Sequence, residues 1–191
     1  MRQYNKHLPY RRPNQHKDDN IDTFFYSVES HDGTTAVEII VGTKTLLMYV
    51  YAIGYKSDLN IAKVLQDRFC ERGIIINIWY DNAQEEFMKS ARKLLHTYGV
   101  GSKQYKAHTQ NHNPAECRIR EIKGTTFTIL DIYGASRWSW LLCMEYVVSI
   151  TNCMAHRYLS WRTPHEDTYG FTTNIAHLME FELWEPILIL D

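Results

Sequence analysis

The sequence predicts an α/β fold: a five-stranded mixed sheet, built from a three-strand antiparallel meander plus parallel strands and flanked by helices. Three observations carry this. Residues 21–28, 35–42 and 45–53 (IDTFFYSV, TAVEIIVG, TLLMYVYAI) are β-rich runs joined by the short turn-rich stretches SHDGT and GTK, the signature of a meander. The pattern then alternates helix, strand, helix, weak strand and two further helices, and a meander feeding a crossover helix into another strand implies a mixed sheet covered by helices. Finally, 191 residues with 45% hydrophobic content suffice for one domain with a substantial core and some flanking chain.

Residues 1–20 are polar, contain Pro9 and Pro13 and lack periodicity, so they read as an arm or linker. After the meander, Ser57 is placed as an N-cap. Ile61, Val64, Leu65 and Phe69 follow at helical spacing, and Gly73 is a helix stop. The nearly continuous apolar run 74–80, IIINIWY, fits a buried central strand and ends in Asp81. Phe87, Ala91, Leu94, Leu95 and Tyr98 then share one face of a second helix that Gly99 terminates. Residues 100–112 are polar and read as a short edge strand and a loop, and a helix opens at Pro114 and extends to about Tyr133. The next helix spans about 136–158, apolar nearly all round except for a stripe of Glu145, Asn152 and His156, as expected of a buried helix with one polar seam. RTPHEDTYG, 162–170, reads as a loop. The chain therefore divides into an arm at 1–20, a core at 21–159 and an acidic extension at 160–191.

Composition narrows the function classes. No h-region follows the start MRQYNKHLPY, so a signal peptide is not expected. The apolar stretch 138–150 is too short to cross a bilayer and is interrupted by Glu145; no membrane partner is expected. Cys70, Cys117, Cys143 and Cys153 form no CxxC pair, which argues against a zinc knuckle or redox motif and fits a reducing compartment. The net charge of −1 conceals an asymmetry: residues 1–17 hold five basic residues and no acid, while 166–191 hold six acids and no Lys or Arg. No Gly-rich phosphate loop is present, and no isolated Ser, Cys or His nucleophile is supported. His108 and His112 lie in a loop without a third soft ligand nearby, so they do not read as a zinc site.

Three carboxylates stand out: Asp22 in the first strand, Asp81 at the end of the fourth, and Glu116 in NHNPAECRIREIK, 111–123. Asn113 is placed as an N-cap and Pro114 at the first helical position. At the third, Glu116 complements the helix dipole and is placed to close a capping box. The first and fourth strands can be neighbours at the sheet centre, and sites in such sheets gather at strand ends. Converging acids repel unless a cation holds them. Mg²⁺ or Mn²⁺ takes oxygen ligands, and two such ions can serve a phosphodiester displacement. Arg120 and Lys123 follow Glu116 at i+4 and i+7 on one helix face, where they are candidates to hold phosphates. Equally, Glu116 and Arg120 form an ordinary ion pair worth a few tenths of a kcal/mol.

DTFF at 22–25, WYDNAQEEF at 79–87 and HTQNHNPAECRIREIK at 108–123 together resemble the integrase core of a retroelement, with the nearest likeness to copia-type retrotransposon integrases. RTPHEDTYGFTTNIAHL followed by WEPI resembles the segment trailing that core, so the likeness covers about 21–188. It implies the RNase H-like fold and a D,D,E triad that falls, position by position, on Asp22, Asp81 and Glu116, serving as catalytic residues and metal ligands. It implies a two-metal Mg²⁺ or Mn²⁺ site and DNA 3′-end processing with strand transfer. The implied partners are element ends and target duplex, with a homodimer or larger assembly acting in the nucleus after synthesis in the cytoplasm. It also brings the loop before Pro114 to DNA, making Gln110, Asn111 and His112 candidate contacts; Lys103 and Lys106 are candidates for phosphate.

The family commonly has 35 residues between its last two acids; here there are 34. His7 and His16 have no cysteine before Cys70, and the chain ends in acids, so the HHCC zinc domain and basic C-terminal domain of intact integrases are not expected. Two other readings follow: a catalytically inactive remnant that binds DNA or self-associates, and an RNase H-like nuclease acting on hybrids or junctions. Trp138, Trp140 and Tyr146 are expected in the core or a dimer interface.

Overall fold

A computed structural model describes residues 18–81, 89–105 and 114–176. Strands β1 (Asp18–Phe25), β2 (Ala36–Gly42), β3 (Met48–Ile53), β4 (Asn77–Tyr80) and β5 (Gly101–Gln104) form one sheet in the order β3-β2-β1-β4-β5. β1 and β2, and β2 and β3, pair antiparallel, whereas β1 and β4, and β4 and β5, pair parallel. The predicted mixed sheet is present, with β1 at its centre.

Helices cover both faces. Strand alternation sends Ile21, Ala36, Ile40 and Ile78 to one face, where they pack on Ile61, Leu65 and Phe69 of α1 (Asp58–Arg72) and Leu95 of α2 (Lys89–Thr97). It sends Phe24, Val37, Ile39 and Val41 to the other, against Ile122 and Leu130 of α3 (Pro114–Ile132) and Trp140, Met144 and Val148 of α4 (Trp140–Cys153). Trp140, fully buried, anchors this second layer by donating its indole N–H to the Val28 carbonyl at 3.0 Å. β2 is buried along its whole length.

The expected ends of α1 are observed. The Ser57 side chain accepts from the Asn60 amide, and Gly73 ends the helix at φ 84°, a conformation open to glycine. Asn152 of the α4 polar seam serves the open edge of β3: its side chain accepts from the Met48 N–H at 2.9 Å and donates to the Met48 carbonyl at 2.8 Å. Capping an edge strand this way removes a template for unwanted pairing.

Four expectations are corrected. β1 begins at Asp18, three residues before the expected run. The fourth strand is four residues long, not seven, because Ile74 and Ile76 are 52% and 55% exposed in the approach to it, and only Ile75, Ile78 and Tyr80 are buried. The long helix starts at Trp140, after a 3-10 turn at Arg137–Ser139, and stops at Cys153; His156 lies beyond it. RTPHEDTYG contains a helix, α5 (Pro164–Tyr169), whose Thr163 and Glu166 form a reciprocal capping box with Pro164 in the first turn. No described helix is long and apolar enough to cross a membrane.

Candidate functional site

The β1–β4 register brings two of the candidate acids to one end of the sheet. Asp18, Asp19 and Asn20 stand opposite Asn77, Ile78 and Trp79. Carried two residues further, the same offset sets Asp22 beside Asp81, which directly follows β4. The carboxyl ends of parallel strands are where such sheets expose their chemistry. The Asp22 side chain accepts from the Thr23 N–H at 2.8 Å.

A cation and a third acid join them. The charges of Glu38, Asp22 and Asp81 all bear on the Lys56 ammonium, which sits just before the cap of α1 and lies 5.6 Å from the centre of the Phe25 ring. Burial pulls the Lys56 pKa below its ordinary value, and the three acids act in the opposite direction. Glu38, opposite Thr23 in the β1–β2 ladder, is fully buried and accepts from the Thr23 hydroxyl at 2.5 Å. Burial pushes its carboxyl up to about 7, against the pull of the Thr23 hydrogen bond and the Lys56 charge. Motif reading missed Glu38 and Lys56. The signal for Glu38 was present, since an acid inside the apolar run AVEIIVG must be buried. Lys56 had no such signal, because only the fold brings the end of the meander to the end of β1.

α3 crosses the sheet on the Asp22 side. Lys123 places its ammonium 5.2 Å from the centre of the Phe24 ring, and residues 22 and 24 share a strand face. Glu116 lies in the first turn of α3, about two turns before Lys123. It accepts from Arg120 at 3.4 Å, an i,i+4 pair in which Arg120 is the more exposed partner. Among the described residues, no group of three His, Cys, Asp or Glu is arranged to hold a metal. The structure therefore brings Asp22 and Asp81 together and pairs Glu116 with Arg120. Lys103, on the edge strand, lies 5.1 Å from the Trp79 ring centre and stands opposite Trp79 in the ladder. Lys106, Gln110, Asn111 and His112 lie outside the described residues, as does Asn113.

The donor chemistry at this end of the sheet is of the type a hard divalent ion takes: Asp22 of β1 and Asp81, directly after β4, offer carboxylate oxygens.

No family model matches the sequence, and no curated protein matches it. Solved structures do. One is the HTLV-2 integrase catalytic core domain in complex with magnesium, in a trimeric form. It aligns with a TM-score of 0.63 at 12% identity, over 81% of this chain and 97% of that one. The fold is thus RNase H-like, that of an integrase catalytic core.

Proposed function

We propose that this chain is the catalytic core of a retrotransposon integrase of copia type, a polynucleotidyl transferase that processes DNA 3′ ends and joins them to target DNA. The observation that carries the reading is the β1–β4 register that sets Asp22 beside Asp81 at the carboxyl ends of neighbouring parallel strands, within an integrase-core fold. Asp22, Asp81 and Glu116 are the residues that would hold Mg²⁺ or Mn²⁺. When bound, such an ion would supply Lewis acidity for the attacking and leaving oxygens of a phosphodiester. The strands fix Asp22 and Asp81 in direction, and the first turn of α3 carries Glu116, which gives up its contact with Arg120 to reach them. Arg120, thereby released, and Lys123 hold phosphates along the α3 face, with Lys103 on the far edge strand. Gln110, Asn111, His112 and Lys106 approach the DNA end. The 21–159 stretch is the core, acting on nuclear DNA as a homodimer or larger assembly; the HTLV-2 domain's trimeric form is in keeping with self-association.

The test is Mn²⁺-dependent cleavage and joining on a branched DNA substrate. Wild type is expected to be active, and Asp81→Asn and Glu116→Gln to abolish activity while unfolding within about 0.5 kcal/mol of it, as substitutions outside the core do. Wild-type rates in both variants would remove the triad assignment.

One observation favours a second reading, a silent remnant that binds DNA: Glu116 is engaged by Arg120, away from a three-acid group. That reading expects salt-dependent DNA binding indifferent to both divalent metal and the triad substitutions.

A further inference from the structure

We infer that the loop joining α4 to α5, residues 156–162, is a stacking site for the bases of single-stranded DNA, with Tyr158 and Trp161 as its platforms and Arg157 as its phosphate contact. The inference rests on the DNA-acting reading only for the kind of partner, and it uses neither the strand-end acids nor a metal. Among the described residues, these two rings are the most exposed large apolar side chains, at 87% and 72%. The loop that carries them is braced. The His156 N–H donates to the Arg162 carbonyl at 2.9 Å, and the Leu159 and Trp161 N–H groups donate to the His156 carbonyl at 3.0 and 3.1 Å. The His156 Nδ1 accepts from the Tyr158 N–H at 3.3 Å, and buried Leu159 pins the middle of the loop to the body of the protein. Two consecutive non-glycine residues then adopt left-handed backbone, Ser160 at φ 55° and Trp161 at φ 63°. A bulky residue takes that conformation at a cost, and an exposed turn ordinarily places Gly, Asn or Asp there. Trp161 stays largely exposed, so burial within this chain offsets little of the cost. Strain of this kind, kept in place by a braced surround, marks a functional position.

The chemistry of the loop selects the partner. Residues 154–162, MAHRYLSWR, hold two arginines and a histidine and no acid. Arg162 is tied to Asp167 at 2.5 Å, whereas Arg157 is exposed and available to a phosphate. The His156 ring stacks on Tyr158 from one side, 5.4 Å between centres and 27° between planes, which leaves the other face of Tyr158 to a base. Flat aromatic faces beside a cation hold successive bases without regard to sequence. An intact duplex has no free base faces along its length, so these rings fit an unpaired strand. The loop also adjoins the helix assigned to phosphate binding: Arg118 of α3 and His156 line one cavity of about 410 Å³ between α3 and α4.

The test is fluorescence anisotropy of a labelled single-stranded oligonucleotide and of the blunt duplex of the same sequence, with divalent metal chelated, for the whole chain as wild type, Trp161→Leu, Trp161→Phe and Tyr158→Leu. Each leucine variant is expected to weaken single-strand binding by about ten-fold, while Trp161→Phe, which keeps a flat ring, stays within about three-fold of wild type. Duplex binding, set by phosphate contacts, is expected to change by less than about two-fold in all three. No single-strand binding by wild type, single-strand affinity unchanged in both leucine variants, or equal losses on both substrates overturns the inference. So does a loss of self-association in sedimentation with single-strand affinity unchanged, which would make the loop a contact between copies of the chain. Should Trp161→Leu fail to fold by circular dichroism, Tyr158→Leu, at a position of ordinary backbone, decides alone. Failure of the polynucleotidyl transferase reading would appear as a wild type inactive on branched DNA whose single-strand affinity still follows the two rings. Failure of this inference would appear as an active enzyme whose single-strand affinity ignores them.

Discussion

Asp19 and Asp22 stand three residues apart on β1, on opposite faces of the same sheet, and their surroundings could hardly differ more. Asp19 is sealed: its carboxylate lies 2.9 Å from the Arg68 guanidinium, and both side chains are fully buried. Arg68 also donates to the Gly73 carbonyl at 3.2 Å and stacks 5.0 Å from the Tyr49 ring centre. Here one acid meets one cation, and the guanidinium also ties the end of α1 to the sheet. Asp22, by contrast, is only half-buried and stands beside Asp81 at the carboxyl ends of β1 and β4. A balanced buried pair fixes structure. Acids at open strand ends can be reached by a metal or a positively charged partner. The difference teaches that counting acids on β1 cannot locate a site; access to solvent at the strand ends does.

The comparison breaks first if the sealed pair proves dispensable. Arg68→Met leaves a buried carboxylate without its partner and is expected to lower the unfolding free energy by about 3–5 kcal/mol in urea titrations. Adding Asp19→Asn should recover part of that loss, because the uncompensated charge disappears. A loss below about 1 kcal/mol in the single variant would mean that the pair is not what locks α1 to β1.

At the open centre the sharper probe is Glu38. Its ordinary pKa of 4.5 is pushed to about 7 by burial, so the folded chain keeps a proton that the unfolded chain has released. That contribution to stability is complete below about pH 4.5, falls as pH rises towards 7, and is gone above it. Glu38→Gln lacks it. The stability of the variant relative to wild type is therefore expected to increase by roughly 1–3 kcal/mol between pH 4.5 and 7.5, read as the difference in melting temperature between the two proteins. A flat difference would place Glu38 in contact with more positive charge than Lys56 provides.

How much of this was legible beforehand follows from which interactions are local. Ser57 and Gly73 act on their own turns, and both ends of α1 were read correctly. The capping box of α5 is equally local, and Thr163-Pro-His-Glu166 spells it out, although the stretch as a whole reads as a loop. The apolar run at 74–80 misled because hydrophobicity alone does not say which side chains find a layer: Ile75 meets α1 and the sheet, while Ile74 and Ile76 meet solvent. Asp22 and Asp81 stand side by side because the first and fourth strands, which the meander-and-crossover pattern makes neighbours, pair in parallel. Lys56 and the sealed Arg68 were not legible, since each meets its acids only after distant segments assemble.

The smallest stability effect belongs to the α3 surface, and it separates structure from function most cleanly. Arg120 and Glu116 form an exposed i,i+4 pair at 3.4 Å. Such pairs contribute about 0.3–0.5 kcal/mol, so Arg120→Ala should unfold almost as wild type does. If Arg120 served only Glu116, nothing further would change. In the proposed function it leaves Glu116 and contacts a phosphate. Arg120→Ala should then weaken DNA binding across sequences alike and reduce the slope of log affinity against log salt by about 1, measured by fluorescence anisotropy at several salt concentrations. An unchanged slope would return Arg120 to the helix surface. A reduced slope with unchanged melting would extend the open centre from the ends of β1 and β4 along the face of α3, on the opposite side of the sheet from the sealed pair.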